Sequence, residues 1–270
     1  MTRTALDDLE AFVLELNGVS AEAILPLFRA ENDLQDKGTP GAYDPVTAAD
    51  RRAEAAIRHL IESRFPEHGV IGEEYGEDRS DAEFVWVLDP IDGTRAFIAG
   101  LPVWSTLIGL RHRGTPVLGS IGQPFLGEIY IGSAAGRARL VTRAGERPLV
   151  TRKGVELEAA LIATTDPEAC FNSRQARAWT ALRRSTRLAR LGCDAYAYAM
   201  VAAGTLDVVV EAGLKCWDIE AAVPVIEAAG GRIGDWSGRP LGRTGGDMVL
   251  AGDAALHAAV CAVLQSPSGT

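Results

Sequence analysis

The sequence predicts a mixed α/β protein built as two lobes, and three observations lead there. Two amphipathic helical stretches open the chain, and a meander of short apolar runs separated by Gly and Pro follows between about residues 84 and 130. Beyond residue 160, strand-like and helix-like segments alternate. The change of texture places a join near residues 150–154, giving an N-terminal lobe at 1–152 and a C-terminal lobe at 153–270.

Residues 6–30 have apolar positions at helical spacing, interrupted at Asn17-Gly18 and by Pro26, and predict one long helix with a kink. Residues 31–45 are polar and rich in turn formers, and read as a loop. A second helix is expected over 47–65, with Thr47 or Asp50 near its start and Pro66 beyond its end. The runs FVWVLD, WSTLIGLRH, TPVLGSIGQP and GEIYIGS then predict an antiparallel meander, and RARLVT and ALIATT are further strand-like pieces. Further on, helices are expected near 173–183, at 194–203 and from 218, with strands near 186–191 and in LDVVVEAG.

At 270 residues, with 47% hydrophobic and 23% charged content, the chain has ample material for a core of the ordinary globular kind. A formal charge of −9 argues against a nucleic-acid backbone or an anionic membrane as partner. An acidic protein that handles an anionic substrate must gather positive charge locally, and bound cations are one means. The four cysteines, Cys170, Cys193, Cys216 and Cys261, form no CxxC pair, which disfavours structural zinc and suits a reducing compartment. With no signal-like N-terminus and no apolar run of spanning length, a cytoplasmic protein is expected.

The chemistry gathers around WVLDPIDGTRAF. Asp89 ends an apolar strand, Pro90 is expected to take the chain out of the sheet, Asp92 follows, and Gly93 permits a sharp turn into a helix at Thr94. A helix start suits a phosphate, and the two carboxylates with the Ile91 carbonyl are hard oxygen donors suited to Mg2+. Read alone, Asp92 is equally a helix cap. Glu73 and Glu74 in GVIGEEYGE could be a solvated loop, and Asp218 in KCWDIEAAV could cap a helix.

Taken together, GEE, WVLDPIDGTRAFIAGLP and CWDIEAAVPVIEAAGG, with DPVTAAD upstream, resemble the inositol monophosphatase family of Mg2+-dependent phosphatases, from about Lys37 to Gly231. The resemblance implies an αβαβα layered sandwich, usually homodimeric, that hydrolyses a small-molecule phosphate ester with two or three Mg2+ ions. It implies that Glu73, Asp89 and the Ile91 carbonyl hold one ion, and that Asp89, Asp92 and Asp218 hold a second. Gly93 and Thr94 would meet the phosphate. Glu73 and Thr94 would orient the attacking water, with Asp92 in the catalytic group and Glu74, Asp50 and Lys37 in support. No covalent enzyme intermediate is implied, and no Ser–His–Asp or Cys–His set is visible.

Substrate choice falls to the second lobe. Asp194, in LGCDAYAYAM, is either a helix cap or a pocket group, and Glu211 either reaches solvent or forms a pocket wall. The pattern Gly-x-Asp-x-Tyr-Ala-Tyr and the stretch FIAGLPVWSTLI resemble the histidinol-phosphatase branch, which implies L-histidinol phosphate as substrate, with Asp194, Glu211 and Asp218 near its leaving group. Two acids suit a cationic leaving group better than a neutral polyol. Cys193 stands where that branch often has a second glycine, and the spelling CWD is closer to the inositol-type members, so inositol monophosphate is the alternative. For a bisphosphorylated substrate, Arg184, Arg187, Arg190 and Lys215 are available, although they read more simply as surface charge.

Overall fold

The structure is a computed structural model describing residues 3–30, 35–36 and 45–266. Helix α1 (Arg3–Ile24) continues through Asn17 and Gly18, and Leu25–Leu27 then forms a 3-10 turn. The helix expected over 6–30 is thus shorter, because Pro26 has no N–H for the α ladder and crowds the preceding turn. Strands β1 (Gln35–Asp36) and β2 (Pro45–Val46) pair antiparallel at the two ends of the expected loop, and Lys37 and Asp44 lie outside the described residues. Helix α2 (Ala48–Arg64) starts at a capping box in which Thr47 accepts from Ala49 N–H and Asp50 accepts from Thr47 N–H.

Strands β3 (Gly69–Gly72) and β4 (Gly76–Asp78) form a hairpin, followed by β5 (Phe84–Asp92) and the short helix α3 (Thr94–Ile98). Then come β6 (Ser105–His112), β7 (Thr115–Gln123), β8 (Glu128–Ser133), β9 (Arg137–Thr142) and β10 (Gly145–Pro148). The sheet order is β10-β9-β8-β7-β6-β5-β3-β4, so β5 to β10 form the expected antiparallel meander while β3 joins β5 in parallel. Pro90 does not end β5 as expected. The register slips between Asp89 and Asp92, and this bulge lets the strand pass a residue that cannot donate to the ladder.

The second half contains β11 (Leu161–Thr164), α4 (Pro167–Cys170), α5 (Ser173–Arg184), β12 (Leu188–Leu191) and α6 (Tyr196–Ala202). After these come β13 (Val208–Lys215), α7 (Cys216–Ile219), α8 (Ala222–Ala228), β14 (Arg232–Gly234), β15 (Gly245–Ala251) and α9 (Ala254–Gln265). Its sheet runs β12-β11-β13-β15-β14, with β12, β11 and β13 parallel and β15 antiparallel to both neighbours.

Alternation along the strands decides the layering. Ile108, Leu110, Leu118 and Ile131 face α1 and α2, with Phe12, Leu16 and Ile57 among their partners. Leu107, Ile121 and Tyr130 point the other way and share one core with Ala197, Val201, Ala222 and Val225 of α6 and α8, and with Val209 and Leu250 of the second sheet. On that face Gly119 and Gly132 let helix backbone lie directly on the sheet, since a Cβ would stand 2.1 Å from Ala221 O and 2.4 Å from Val225 Cα respectively. Trp179 and Leu182 of α5 and Val260 and Leu264 of α9 cover the outer face of the five-stranded sheet. The order helix, sheet, helix, sheet, helix is the expected αβαβα sandwich.

Candidate active site

Strand β5 is buried on both faces up to Ile91 and delivers its two acids at its C-terminal end. In a regular strand, residues three apart point to opposite faces. Here Asp89 pairs with Leu107 and Asp92 with Ser105, so the bulge adds one residue and brings both carboxylates to one side. Ile91 N–H donates to Asp89 Oδ1 at 3.1 Å, and the Thr106 hydroxyl donates to Pro90 O at 2.8 Å, which satisfies polar atoms the bulge takes out of the ladder. Asp218 arrives from α7, and carboxylate oxygens of Asp89, Asp92 and Asp218 all lie within 4.8 Å of one another.

The capping readings of these acids resolve differently. Asp92 makes no cap on α3, whose N-cap is Gly93 at φ +84°, a conformation open to glycine. Its Oδ2 accepts instead from Ala195 N–H at 2.6 Å, in the second half of the chain. Asp218 stands at the third position of α7, where Oδ2 accepts from Lys215 N–H at 2.7 Å, so it closes a helix start and also belongs to the acidic group.

The electrostatics are those of crowded, desolvated acids. Burial raises Asp89 well above the ordinary carboxylate range, and the neighbouring charges of Glu73, Asp92, Asp218 and Asp50 push the same way. Asp92 is raised well above that range by burial, then by Asp194 and Asp218, against the Ala195 hydrogen bond. Burial brings Asp218 to about 6. A divalent cation would relieve this repulsion, and the oxygen-only donor set fits a hard ion such as Mg2+.

Glu73 is not a member of the 4.8 Å group but is near enough for its charge to raise Asp89, and it stands just after β3, where its N–H donates to Leu88 O at 3.2 Å. The Thr94 hydroxyl lies 3.1 Å from Ile91 O and 3.5 Å from Asp50 Oδ1, joining α3, the bulge and the start of α2. Glu74 enters through its backbone, donating to Glu54 Oε2 at 2.8 Å. Glu54 was not expected from sequence. It is a fully buried acid on α2, flanked on that face by Ala53 and Ile57.

Asp194 and Glu211 belong to the same neighbourhood. Helix α6 takes Ala195 as N-cap with no side-chain cap bond, so Asp194 is not its cap. Asp194 sits instead in a left-handed turn at φ +45°, and a Cβ on Gly93 would meet its Cγ at 2.9 Å. Its carboxylate therefore lies against the Gly93–Thr94 turn, and burial raises it to about 6, with Arg95 opposing. Glu211 lies within β13 and is 2% exposed, which excludes the solvent-reaching strand end. It accepts from Thr165 N–H and Oγ1, both at 2.9 Å, and from Thr164 Oγ1 at 3.3 Å. Burial nevertheless brings it to about 8, with Asp194 pushing the same way. Arg184, Arg187, Arg190 and Lys215 are exposed, in keeping with surface charge.

The layered fold and its acidic group define a family, and the comparisons with known proteins agree. The model of the inositol monophosphatase family matches residues 5–267. The chain is 40% identical over 267 residues to the bifunctional phosphatase IMPL2, a chloroplastic protein of Arabidopsis thaliana, covering 95% of this chain and 75% of that one. It is 35% identical to a histidinol-phosphatase of Chlorobaculum parvum, covering 78% of this chain and 80% of the relative. Among solved structures, an inositol monophosphatase from Zymomonas mobilis superposes with a TM-score of 0.85 at 38% identity, over 97% of this chain and 100% of that one. This chain belongs to the inositol monophosphatase family, and it is a phosphatase of that family. Among the described residues no helix is long and apolar enough to cross a membrane.

Proposed function

We propose that this chain is a Mg2+-dependent phosphomonoesterase that converts L-histidinol phosphate and water to L-histidinol and phosphate. The observation that carries the choice of ester is the placement of Asp194, whose carboxylate packs against the Gly93 turn. An acid fixed beside a phosphate-binding turn opposes the phosphate, a cost that a cation on the substrate would offset. Glu211, which shares this charged neighbourhood, supplies a second acid. The histidinol-phosphatase relative supports the reading.

In this reading Glu73, Asp89 and the Ile91 carbonyl hold one Mg2+, and Asp89, Asp92 and Asp218 hold another. When bound, the ions offset the phosphate charge and lower the pKa of an attacking water. The backbone N–H groups that open α3 face the phosphate at Gly93 and Thr94. The Thr94 hydroxyl has one proton for Ile91 O at 3.1 Å or Asp50 Oδ1 at 3.5 Å, and its lone pairs remain to accept a hydrogen bond from the water. Glu73 also orients that water. Asp194 and Glu211 face the ammonium and imidazole of the leaving group. Protein of this kind is proposed to be a homodimer, which light scattering would test.

A second reading, hydrolysis of inositol 1-phosphate, is favoured by the 38% identical Zymomonas mobilis structure. Phosphate release should be measured for both esters with Mg2+ and with EDTA. The expected result is a kcat/KM for L-histidinol phosphate at least tenfold above that for inositol 1-phosphate, lost in EDTA. Preference for inositol 1-phosphate would overturn the choice of ester, and full activity in EDTA would overturn the metal reading.

A further inference from the structure

We propose that Glu54, which has no place among the groups facing the substrate, is a positioning residue that sets the turn bearing Glu73 and thereby the affinity of the site for its divalent cation. This rests on the reading of Glu73 as a metal ligand. Glu54 is fully buried, an unusual place for a carboxylate. Both of its oxygens are committed to one short turn. Oε2 accepts from Glu74 N–H at 2.8 Å, and Oε1 accepts from Tyr75 N–H at 3.2 Å. One helical turn further along α2, Arg58 donates from Nε to Glu54 Oε1 at 2.8 Å and from Nη2 to Gly76 O. The Glu54–Arg58 pair therefore grips residues 74, 75 and 76 in succession.

On the other side, Glu73 N–H donates to Leu88 O at 3.2 Å, and Leu88 immediately precedes Asp89. The Glu73 backbone is thus held between β5, which carries Asp89, and α2, which carries Glu54. Gly72 is part of the same device, because a Cβ there would stand 2.1 Å from Glu54 Oε1. Only a residue without a side chain lets the carboxylate come up under the turn. The chemistry also demands an acid. A carboxylate is acceptor-only, whereas glutamine replaces one oxygen by an NH2 group that would face a backbone N–H donor to donor. The turn would then shift, and with it the reach of the Glu73 carboxylate toward Asp89.

The test is a calorimetric titration of the full chain with MgCl2, alongside thermal melts in EDTA, for wild type, Glu54→Gln, Gly72→Ala and Glu73→Gln. Glu54→Gln and Gly72→Ala disturb the same contact from opposite sides, so either one that folds can report. The expected result is a Kd for Mg2+ raised about tenfold or more in both, matching the scale seen when groups supporting a ligand are lost. Unchanged Mg2+ affinity with a lowered metal-free Tm would make Glu54 a purely structural acid and overturn the proposal. Wild-type affinity in Glu73→Gln would instead show that Glu73 is no ligand, and the proposal would fall with that reading.

Discussion

The Asp92 carboxylate accepts the Ala195 N–H at 2.6 Å, joining positions 103 residues apart. One oxygen of a proposed metal ligand thus fixes the backbone next to Asp194, so the acidic group and the segment proposed to face the leaving group share an anchor. A charge-assisted bond of this length is among the stronger hydrogen bonds available to a protein.

Asp92→Asn should separate the two roles of that side chain. The amide keeps a carbonyl oxygen for Ala195 N–H, so the fold should survive. It removes the negative charge beside the cation, so kcat at saturating Mg2+ should fall by several powers of ten. A folded variant, judged by circular dichroism, with near-normal kcat would contradict the assignment of Asp92.

Asp194→Asn tests the choice of ester. Asparagine tolerates the left-handed backbone that Asp194 adopts at φ +45°, so the change alters charge with little backbone cost. kcat/KM for L-histidinol phosphate should drop roughly tenfold, while that for inositol 1-phosphate should barely move. An equal effect on both esters would remove Asp194 from substrate selection.

Gly93→Ala should be severe. The residue lies at φ +84°, and its new Cβ would press on the Asp194 carboxylate at 2.9 Å. Strain of about 1–3 kcal/mol from the backbone alone should lower Tm. Phosphate inhibition should also weaken, because the turn proposed to receive the anion is displaced. Unchanged inhibition by inorganic phosphate would place the anion elsewhere.

The metal-free protein should lose stability as pH rises from about 4.5 to about 8. Glu211 titrates near 8 in the fold against an ordinary value of 4.5, so across that window the native state keeps a proton the unfolded chain has released. The stability contributed by the protonated Glu211 therefore falls with pH there and is lost above about 8. Urea denaturation in EDTA at pH 5 and pH 8.5 should show the fall, and Glu211→Gln should reduce it. A Glu211→Gln curve with the wild-type slope would show that Glu211 ionises freely in the fold.

The clustering of Asp89, Asp92 and Asp218 was legible because these acids fall where apolar runs stop and helices start, and the short pattern around Gly93 is distinctive. The local reading went wrong where tertiary structure overrode it. Pro90 looked like a strand end, but a bulge absorbed it, and the same bulge turns Asp92 toward Asp89. For Asp194, local pattern alone left cap and pocket group open, and the helix that follows takes Ala195 as its N-cap with no side-chain bond. Glu54 escaped because its partners are backbone N–H groups some 20 residues away, which no periodicity reveals. Its spacing to Arg58 and its place beside Ala53 and Ile57 on a buried helix face were the available signal. Strands β14 and β15 and helix α9 lie beyond what the sequence pattern predicts. β15 holds its place by pairing with β13, and β14 by pairing with β15, rather than by a strong local pattern.

Because α6 and α8 fill the space between the two sheets, the first sheet's inner face has no cover of its own. During synthesis, Leu107, Ile121 and Tyr130 emerge long before the residues up to Val225 that will bury them. A nascent chain stopped at Pro148 would present an open apolar sheet face to solvent and to chaperones, and the first half can reach its final packing only after most of the second has left the ribosome.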